Sequence, residues 1–489
     1  MDTLLDVAST VGSVVQDFDR HAVLWALILG IILAFLLGAG MGANDVSNAF
    51  GTSVGSGVVT IIQAYILASI FETLGSVLVG WKVIGTMRGG VIEVKEYEDQ
   101  PEELFLGQVA ILGGCATWLM IATVLHMPVS TTHSIVGATV GFSIVLRGLA
   151  GINWSEIVRI VISWFVSPLL SGFISTVLYI VVDHLVLRQS DSVKAGLRVL
   201  PAFYFVCLTF NTAMVTWDGS PLLYLNHLPW WAIICISLGV GVLAAFFAHF
   251  VLRPRILRKI QESTTQPSTP EEEPEISKIP LDLELTKKGD LESQIDSGST
   301  LSAAQRFWLW LMPDKNRPVD EKTTKLFGTI QIFTACFAGF AHGANDVCNA
   351  VAPLASLISI YRTKSVYGTE DVPIYVVLYG VFAICVGLWL LGHHVIRTVG
   401  TKMSEINPAS GFCIEFGAAM TGLLASKLGL PISTTHCLVG SVVAVGSIRS
   451  GEGVKWGIFR SIVLSWVVTL PVAGLVSAGI MILLKLVAL

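Results

Sequence analysis

Apolar runs of about 20 residues recur along the chain, at 22–40, 60–80, 106–126, 201–216, 230–252, 326–342, 373–397 and 411–428. A run of that length with few charges is enough for a helix to cross the hydrocarbon core of a bilayer. Two further runs, 156–187 and 457–487, exceed one crossing. They must tilt, protrude, or break at Pro168 and Pro471. Two others, 134–148 and 436–448, are too short for a crossing and read as half-helices. The pattern predicts an all-α polytopic membrane protein with about 10–12 transmembrane helices.

The polar stretches divide this pattern in two. Residues 254–324 are hydrophilic and include "STTQPSTPEEEPE" (263–275). Such a segment buries too little apolar surface to fold alone. The chain therefore reads as a membrane half over 22–252, a largely disordered linker over 253–325, and a second membrane half over 326–489. Within the linker, "AAQRFWLWLM" (303–312) has the character of an interfacial amphipathic patch. "RPRILRKI" (253–260) directly follows a span and carries four Arg or Lys residues, which places the linker in the cytoplasm. The start of the chain lacks the basic region and cleavage site of a signal peptide, so 22–40 reads as a retained first span. If the halves are inverted, residues 1–21 are extracellular, in keeping with Asp2, Asp6, Asp17 and Asp19.

The halves repeat each other. "GANDVSNA" (42–49) returns as "GANDVCNA" (343–350), and "HMPVSTTHSIVG" (126–137) as "GLPISTTHCLVG" (429–440). "ISWFVSPLLSG" (162–172) loosely matches "LSWVVTLPVAG" (464–474). The motifs keep their order and nearly their separation: 85 residues from Asp45 to Ser130, 87 from Asp346 to Ser433. Matched order and spacing point to an internal duplication.

Each motif has its own chemistry. A regular helix through the Gly- and Asn-rich stretch 38–57 is unfavourable, so a broken helix or re-entrant hairpin is expected there. Asp45 and Asp346, with Asn44, Asn48, Asn345 and Asn349 beside them, are costly at membrane depth unless paired or hydrated. Ser130, Thr131 and Thr132, and likewise Ser433, Thr434 and Thr435, look like helix starts. A helix N-terminus with three hydroxyls suits an oxyanion. The anion and the two aspartates repel each other until a cation neutralises the carboxylates. Sodium suits carboxylate, amide and backbone oxygens, so its binding at Asp45 and Asp346 would enable anion binding. That is cotransport written as electrostatics.

Glu72 and Glu415 also lie in apolar surroundings, where a carboxylate is costly unless protonated or paired. They are not equivalent in the repeat, because Leu112 stands opposite Glu415; the halves must therefore differ chemically. His133 and His436 follow the hydroxyl triplets, and a packing role is favoured over ligand contact. His342 stands where the first copy has Met41, a further source of asymmetry.

Composition agrees with this picture. Of the 489 residues 53% are hydrophobic and 13% charged, half the charged share of a soluble domain. The net charge of −5 is carried without a basic patch and its interleaved aromatics, which argues against nucleic acid. The eight cysteines form no C-x-x-C pair and lie mostly in apolar runs, as small hydrophobes. Asn153-Trp154-Ser155 is a glycosylation sequon close to a span.

At "GANDVSNA", "GANDVCNA", "PVSTTH", "PISTTH", "FETLGS" and "CIEFGAA" the sequence resembles the inorganic phosphate transporter family. The resemblance covers both halves but not the linker. It implies inverted repeats, a homodimer in the plasma membrane, and symport of inorganic phosphate with Na⁺; the long linker favours Na⁺ over H⁺. It implies no enzyme activity and no cofactor beyond the coupling ion. It assigns phosphate binding to the hydroxyl triplets with Asn48 and Asn349, and cation coupling to Asn44, Asp45, Asn345, Asp346, Glu72 and Glu415. Many members carry Ala where this chain has Ser47 and Cys348, both small. Other readings are an H⁺-coupled or sulfate carrier, a phosphate-sensing membrane receptor, and a membrane hydrolase using Ser130 or Ser433. Neither Ser130 nor Ser433 lies in a Gly-x-Ser-x-Gly elbow.

Overall fold

The structure is a computed structural model that describes residues 18–220, 223–265, 302–313, 320–368, 371–397, 406–449 and 453–488. The first half forms α1 (Leu24–Gly55), α2 (Ile61–Val79), α3 (Trp81–Gly89), α4 (Pro101–Val124), α5 (Thr131–Arg147), α6 (Trp154–Val182), α7 (Ser192–Thr216) and α8 (Trp230–Phe247). α9 (Arg253–Thr265) and α10 (Ala303–Leu311) follow. The second half forms α11 (Glu321–Asn345), α12 (Val347–Thr363), α13 (Ile374–Leu391), α14 (His393–Arg397), α15 (Pro408–Lys427), α16 (Thr434–Ile448) and α17 (Trp456–Ala488). Ten of the described helical segments are long and apolar enough to cross a membrane. There are no strands among the described residues, only an isolated bridge between Ile92 and Ile152.

The predicted half-helices are α5 and α16. Each starts at a serine N-cap: the Ser130 hydroxyl accepts from the His133 N–H at 3.3 Å, and Ser433 from the His436 N–H at 3.2 Å. These caps satisfy one of the free N–H groups that open every helix. α4 and α5 form a hairpin whose open end is tied by the Glu103–Arg147 ion pair. α15 and α16 form a second hairpin, tied by Arg449 donating to Ser410 at 3.2 Å.

The two hairpins enter from opposite ends of the bundle. The first opens where Asp19 bonds Glu102 and Arg20 bonds the Arg362 carbonyl. The second opens beside Pro408, which shares a cavity wall with Ser56, Lys259 and Thr324 at the linker end. Packing follows the same exchange. α1 packs on α4 and α13 while α11 packs on α15 and α2; α17 packs on α4 and α5 while α6 packs on α15 and α16.

One expectation is corrected. The first Asn-Asp motif does not break its helix: α1 runs unbroken through Asn44 and Asp45. Its glycines serve close approach instead. A Cβ on Gly42 would stand 1.9 Å from the Ile384 carbonyl oxygen of α13, and one on Gly343 would stand 2.1 Å from the Glu72 carbonyl oxygen of α2. Only the second copy is interrupted, at Asp346, where α11 passes into α12. Of the alternatives for the two long runs, a break is not the one taken: α6 and α17 continue through Pro168 and Pro471. Proline removes the hydrogen bond to the carbonyl four residues earlier, and at Pro168 the freed Trp164 carbonyl lies 3.1 Å from Nδ1 of His436. Within the linker, α9 and α10 are helical, α10 over the stretch read as an amphipathic patch; the expectation of disorder for 266–301 lies outside the described residues.

Candidate functional site

The tips of the two hairpins meet inside the bundle. Thr132 donates to the Ile432 carbonyl at 3.0 Å, and Thr435 to that of Val129 at 3.5 Å. The N-termini of α5 and α16 therefore open on one shared region, each contributing free N–H groups and a partial positive charge. α1 and the α11–α12 junction bring the two Asn-Asp motifs to the same place.

The contacts there are exchanged between halves. Asn48 donates to Asp45 at 3.2 Å and reaches across to Thr435 at 2.9 Å and Thr434 at 3.5 Å. Asn349 donates to Asp346 and to Thr132, both at 3.4 Å. Thr131 donates to the other oxygen of Asp45. Asp45, Asp346, Asn48 and Asn349 are all buried. The oxygens Asn48 Oδ1, Asn349 Oδ1 and Asp346 Oδ2 have no hydrogen-bond partner among the described residues. Buried acceptors in that state are costly, and amide and carboxylate oxygens are of the kind a hard cation takes.

His342 breaks the symmetry. Its Nε2 lies 3.8 Å from Asp45 Oδ2 and 3.7 Å from Asp346 Oδ2, too far for hydrogen bonds. Its Nδ1 lies 3.2 Å from Glu72 Oε1, close but without hydrogen-bond geometry. One imidazole thus stands among three carboxylates, with donor atoms of Asp45, His342 and Asp346 within 4.8 Å of one another. Burying three carboxyl groups around one imidazole is costly unless protons or further positive charge offset them. Glu72 belongs to this cluster through its place on α2.

The remaining predicted residues lie in the surrounding shell. Asn44 is fully engaged by the protein: its amide donates to Thr123 at 3.2 Å and to the Met127 carbonyl at 2.9 Å, and its oxygen accepts from the Val129 N–H at 3.0 Å. It fixes the tip of the first hairpin. Asn345 donates to Ser426 at 3.3 Å on the second hairpin. Glu415, on α15, meets Thr52 and Ser53, which stand about two turns beyond Asp45 on α1. It accepts from Ser53 at 2.5 Å, Thr52 at 2.6 Å, Thr334 at 2.7 Å and Gln331 at 3.1 Å. No motif marks those four donors in the sequence.

His133 and His436 pack as expected. Their rings lie 4.6 Å apart, and each also packs on a tryptophan, His133 stacked on Trp164 at 3.7 Å and His436 tilted against Trp466 at 3.8 Å. The matched "ISW" and "LSW" segments thus supply the outer rings of a four-ring column that sets the two half-helices side by side.

Fold and site together define a polytopic helical membrane protein whose two related halves enclose a buried centre suited to a cation and an anion. The model of the phosphate transporter family matches residues 41–477, and the chain belongs to that family. It is 35% identical to sodium-dependent phosphate transporter 1-A of Xenopus laevis, over 98% of each chain. It is 34% identical to sodium-dependent phosphate transporter 1 of Rattus norvegicus, over 99% of each. A solved structure described as the sodium-dependent phosphate transporter matches with a TM-score of 0.76 at 32% identity, over 94% of this chain and 99% of that one. The resemblance in the paired motifs is thereby confirmed.

Proposed function

We propose that the protein is a secondary active symporter that moves inorganic phosphate into the cell with Na⁺. One observation carries the reading: two half-helix N-termini from opposite ends of the bundle meet over the Asp45–Asp346 pair. The N-termini with Thr131, Thr132, Thr434 and Thr435 receive the anion. Ser130 and Ser433 support them as caps. The carboxylates of Asp45 and Asp346, with the free oxygens of Asn48 and Asn349, hold Na⁺. Without the cation, carboxylates and phosphate repel; with it, each stabilises the other. The names of the relatives support both substrates.

The opposed hairpins support inverted repeats, each half gating one side of the membrane. With the basic start of α9 in the cytoplasm, residues 1–21 are extracellular and the linker is cytoplasmic. We place the protein in the plasma membrane, as a homodimer in lipid. The Ser130 hydroxyl accepts a cap bond and the neighbouring His133 ring lies flat on Trp164, an arrangement that serves packing rather than nucleophilic attack.

Uptake of labelled phosphate into proteoliposomes tests this reading. An inward Na⁺ gradient is expected to drive accumulation, a pH gradient alone is not, and excess sulfate is expected to compete poorly. A P–OH group can donate to an ionised carboxylate in the centre, and sulfate has no such proton. Uptake driven equally well by a pH gradient would move the reading to H⁺ coupling.

A further inference from the structure

A cavity of about 660 Å³ lies apart from the central cluster, walled by the end of α2, by α3 and by the start of α13. It sits toward the end of the bundle where the first hairpin opens, since Gly368 and Ile374 form part of its wall. Its charged lining is Lys82, Arg88 and Asp371, and its polar lining includes Ser76 and Trp81. Ser76 is 3% exposed, and its hydroxyl has no partner among the described residues; nor has the indole N–H of Trp81.

Lys82 is already holding an anion. Its ammonium pairs with the Asp218 carboxylate and lies 3.4 Å from the Lys427 carbonyl. Lys427, the last residue of α15, donates to the Asp218 carbonyl at 3.2 Å. Asp218 thus sits between two lysines, one of them on the tip of the second hairpin. Its backbone is left-handed, φ 46°, a conformation that disfavours residues with a Cβ. Ser76 stands one turn beyond Glu72 on α2, and Glu72 faces His342. Gly80, next to Trp81 of the cavity wall, packs against the Ala344 carbonyl and Cys348, so α3 starts beside the second Asn-Asp motif.

We propose that this cavity is an access vestibule in which Lys82 and Arg88 capture a tetrahedral oxyanion in exchange for the Asp218 carboxylate, before it passes Ser76 to the central site. The inference rests on the transport reading above. The oxyanion presents to Lys82 what Asp218 presents: negative oxygens at hydrogen-bond distance. Exchange releases Asp218 from Lys82 and loosens the tie to the hairpin tip at Lys427. Asp371 offsets part of the positive field, which keeps capture weak enough for onward passage.

The test is Na⁺-driven uptake of labelled phosphate by proteoliposomes carrying wild-type protein, Lys82→Gln, Asp218→Asn or Arg88→Gln, with thermal unfolding of each as a control. Lys82→Gln and Arg88→Gln are expected to raise KM about tenfold with Vmax and Na⁺ dependence retained, and the effect is expected to shrink at high ionic strength. Lys82→Arg is expected to restore KM. Asp218→Asn is expected to lower KM, because the competing carboxylate is gone. A purely structural ion pair predicts the same direction for Lys82→Gln and Asp218→Asn, with lowered stability in both, and that result overturns the vestibule. Unchanged KM in folded Lys82→Gln and Arg88→Gln overturns it as well. Wild-type protein that takes up no phosphate overturns the transport reading itself, a distinguishable outcome.

Discussion

Asn48 on α1 donates a 2.9 Å hydrogen bond to Thr435, 387 residues away at the start of α16. The same amide holds Asp45, so the carboxylate of one half and the helix N-terminus of the other are coupled through one side chain. Asn349 makes the reciprocal link between Asp346 and Thr132. Asn48→Ala is therefore expected to lower Na⁺-driven uptake at least tenfold, and Asn349→Ala to do the same. Uptake measured at saturating Na⁺ checks this; near-normal rates in both variants would contradict the coupling.

Glu72 and Glu415 are expected to respond differently to substitution. Glu415 accepts four hydrogen bonds that join α1, α11 and α15. Glu415→Ala leaves those donors unpaired and is expected to cost about 3 kcal/mol or more, lowering thermal stability in detergent. Glu72 accepts no well-formed hydrogen bond among the described residues. Glu72→Gln should keep wild-type stability and lose coupled uptake. Equal melting temperatures for Glu415→Ala and wild type would refute the structural part of this contrast.

Gly42 and Gly343 bring helix backbones together across the two halves. A methyl group at either position meets a carbonyl oxygen near 2 Å, well inside contact distance, and backbone cannot rotate away as a side chain can. Gly42→Ala and Gly343→Ala are expected to destabilise by about 1–3 kcal/mol or more, read as reduced folded yield on size-exclusion chromatography.

Deleting 266–300 should leave transport chemistry intact, since no residue of the centre lies there. Uptake normalised to surface-resident protein is the readout. A correctly inserted deletion variant with no uptake would show that the linker takes part.

Much of the fold was legible because apolar run length and motif duplication are direct consequences of bilayer thickness and repeat symmetry. The half-helices at 134–148 and 436–448 emerged as α5 and α16, and Ser130 and Ser433 proved to be their caps. The continuous course of α1 was not legible. Glycine propensity argued for a break, whereas packing of Gly42 on Ile384 keeps the helix whole: tertiary contact overrode local preference. The site was legible where chemistry came in duplicate. It was not where partners are single and distant, as with Thr334 and Gln331 at Glu415, or Asp218 at Lys82. His342 stood out in the sequence only by replacing Met41; its three carboxylate neighbours come from three separate helices or helix junctions.

The central claim is that Asp45 and Asp346 bind Na⁺ and thereby make phosphate binding favourable. Asp45→Asn keeps the shape of the side chain and removes its charge. An amide oxygen is a poorer partner for a hard cation, so Na⁺ affinity should fall, while repulsion of the anion also falls. The decisive measurement is calorimetric titration of phosphate into purified, folded Asp45→Asn with and without Na⁺. The account predicts that Na⁺ strongly enhances phosphate binding to wild-type protein and scarcely affects it in the variant. A folded Asp45→Asn protein that retains the full Na⁺-dependent enhancement would contradict it.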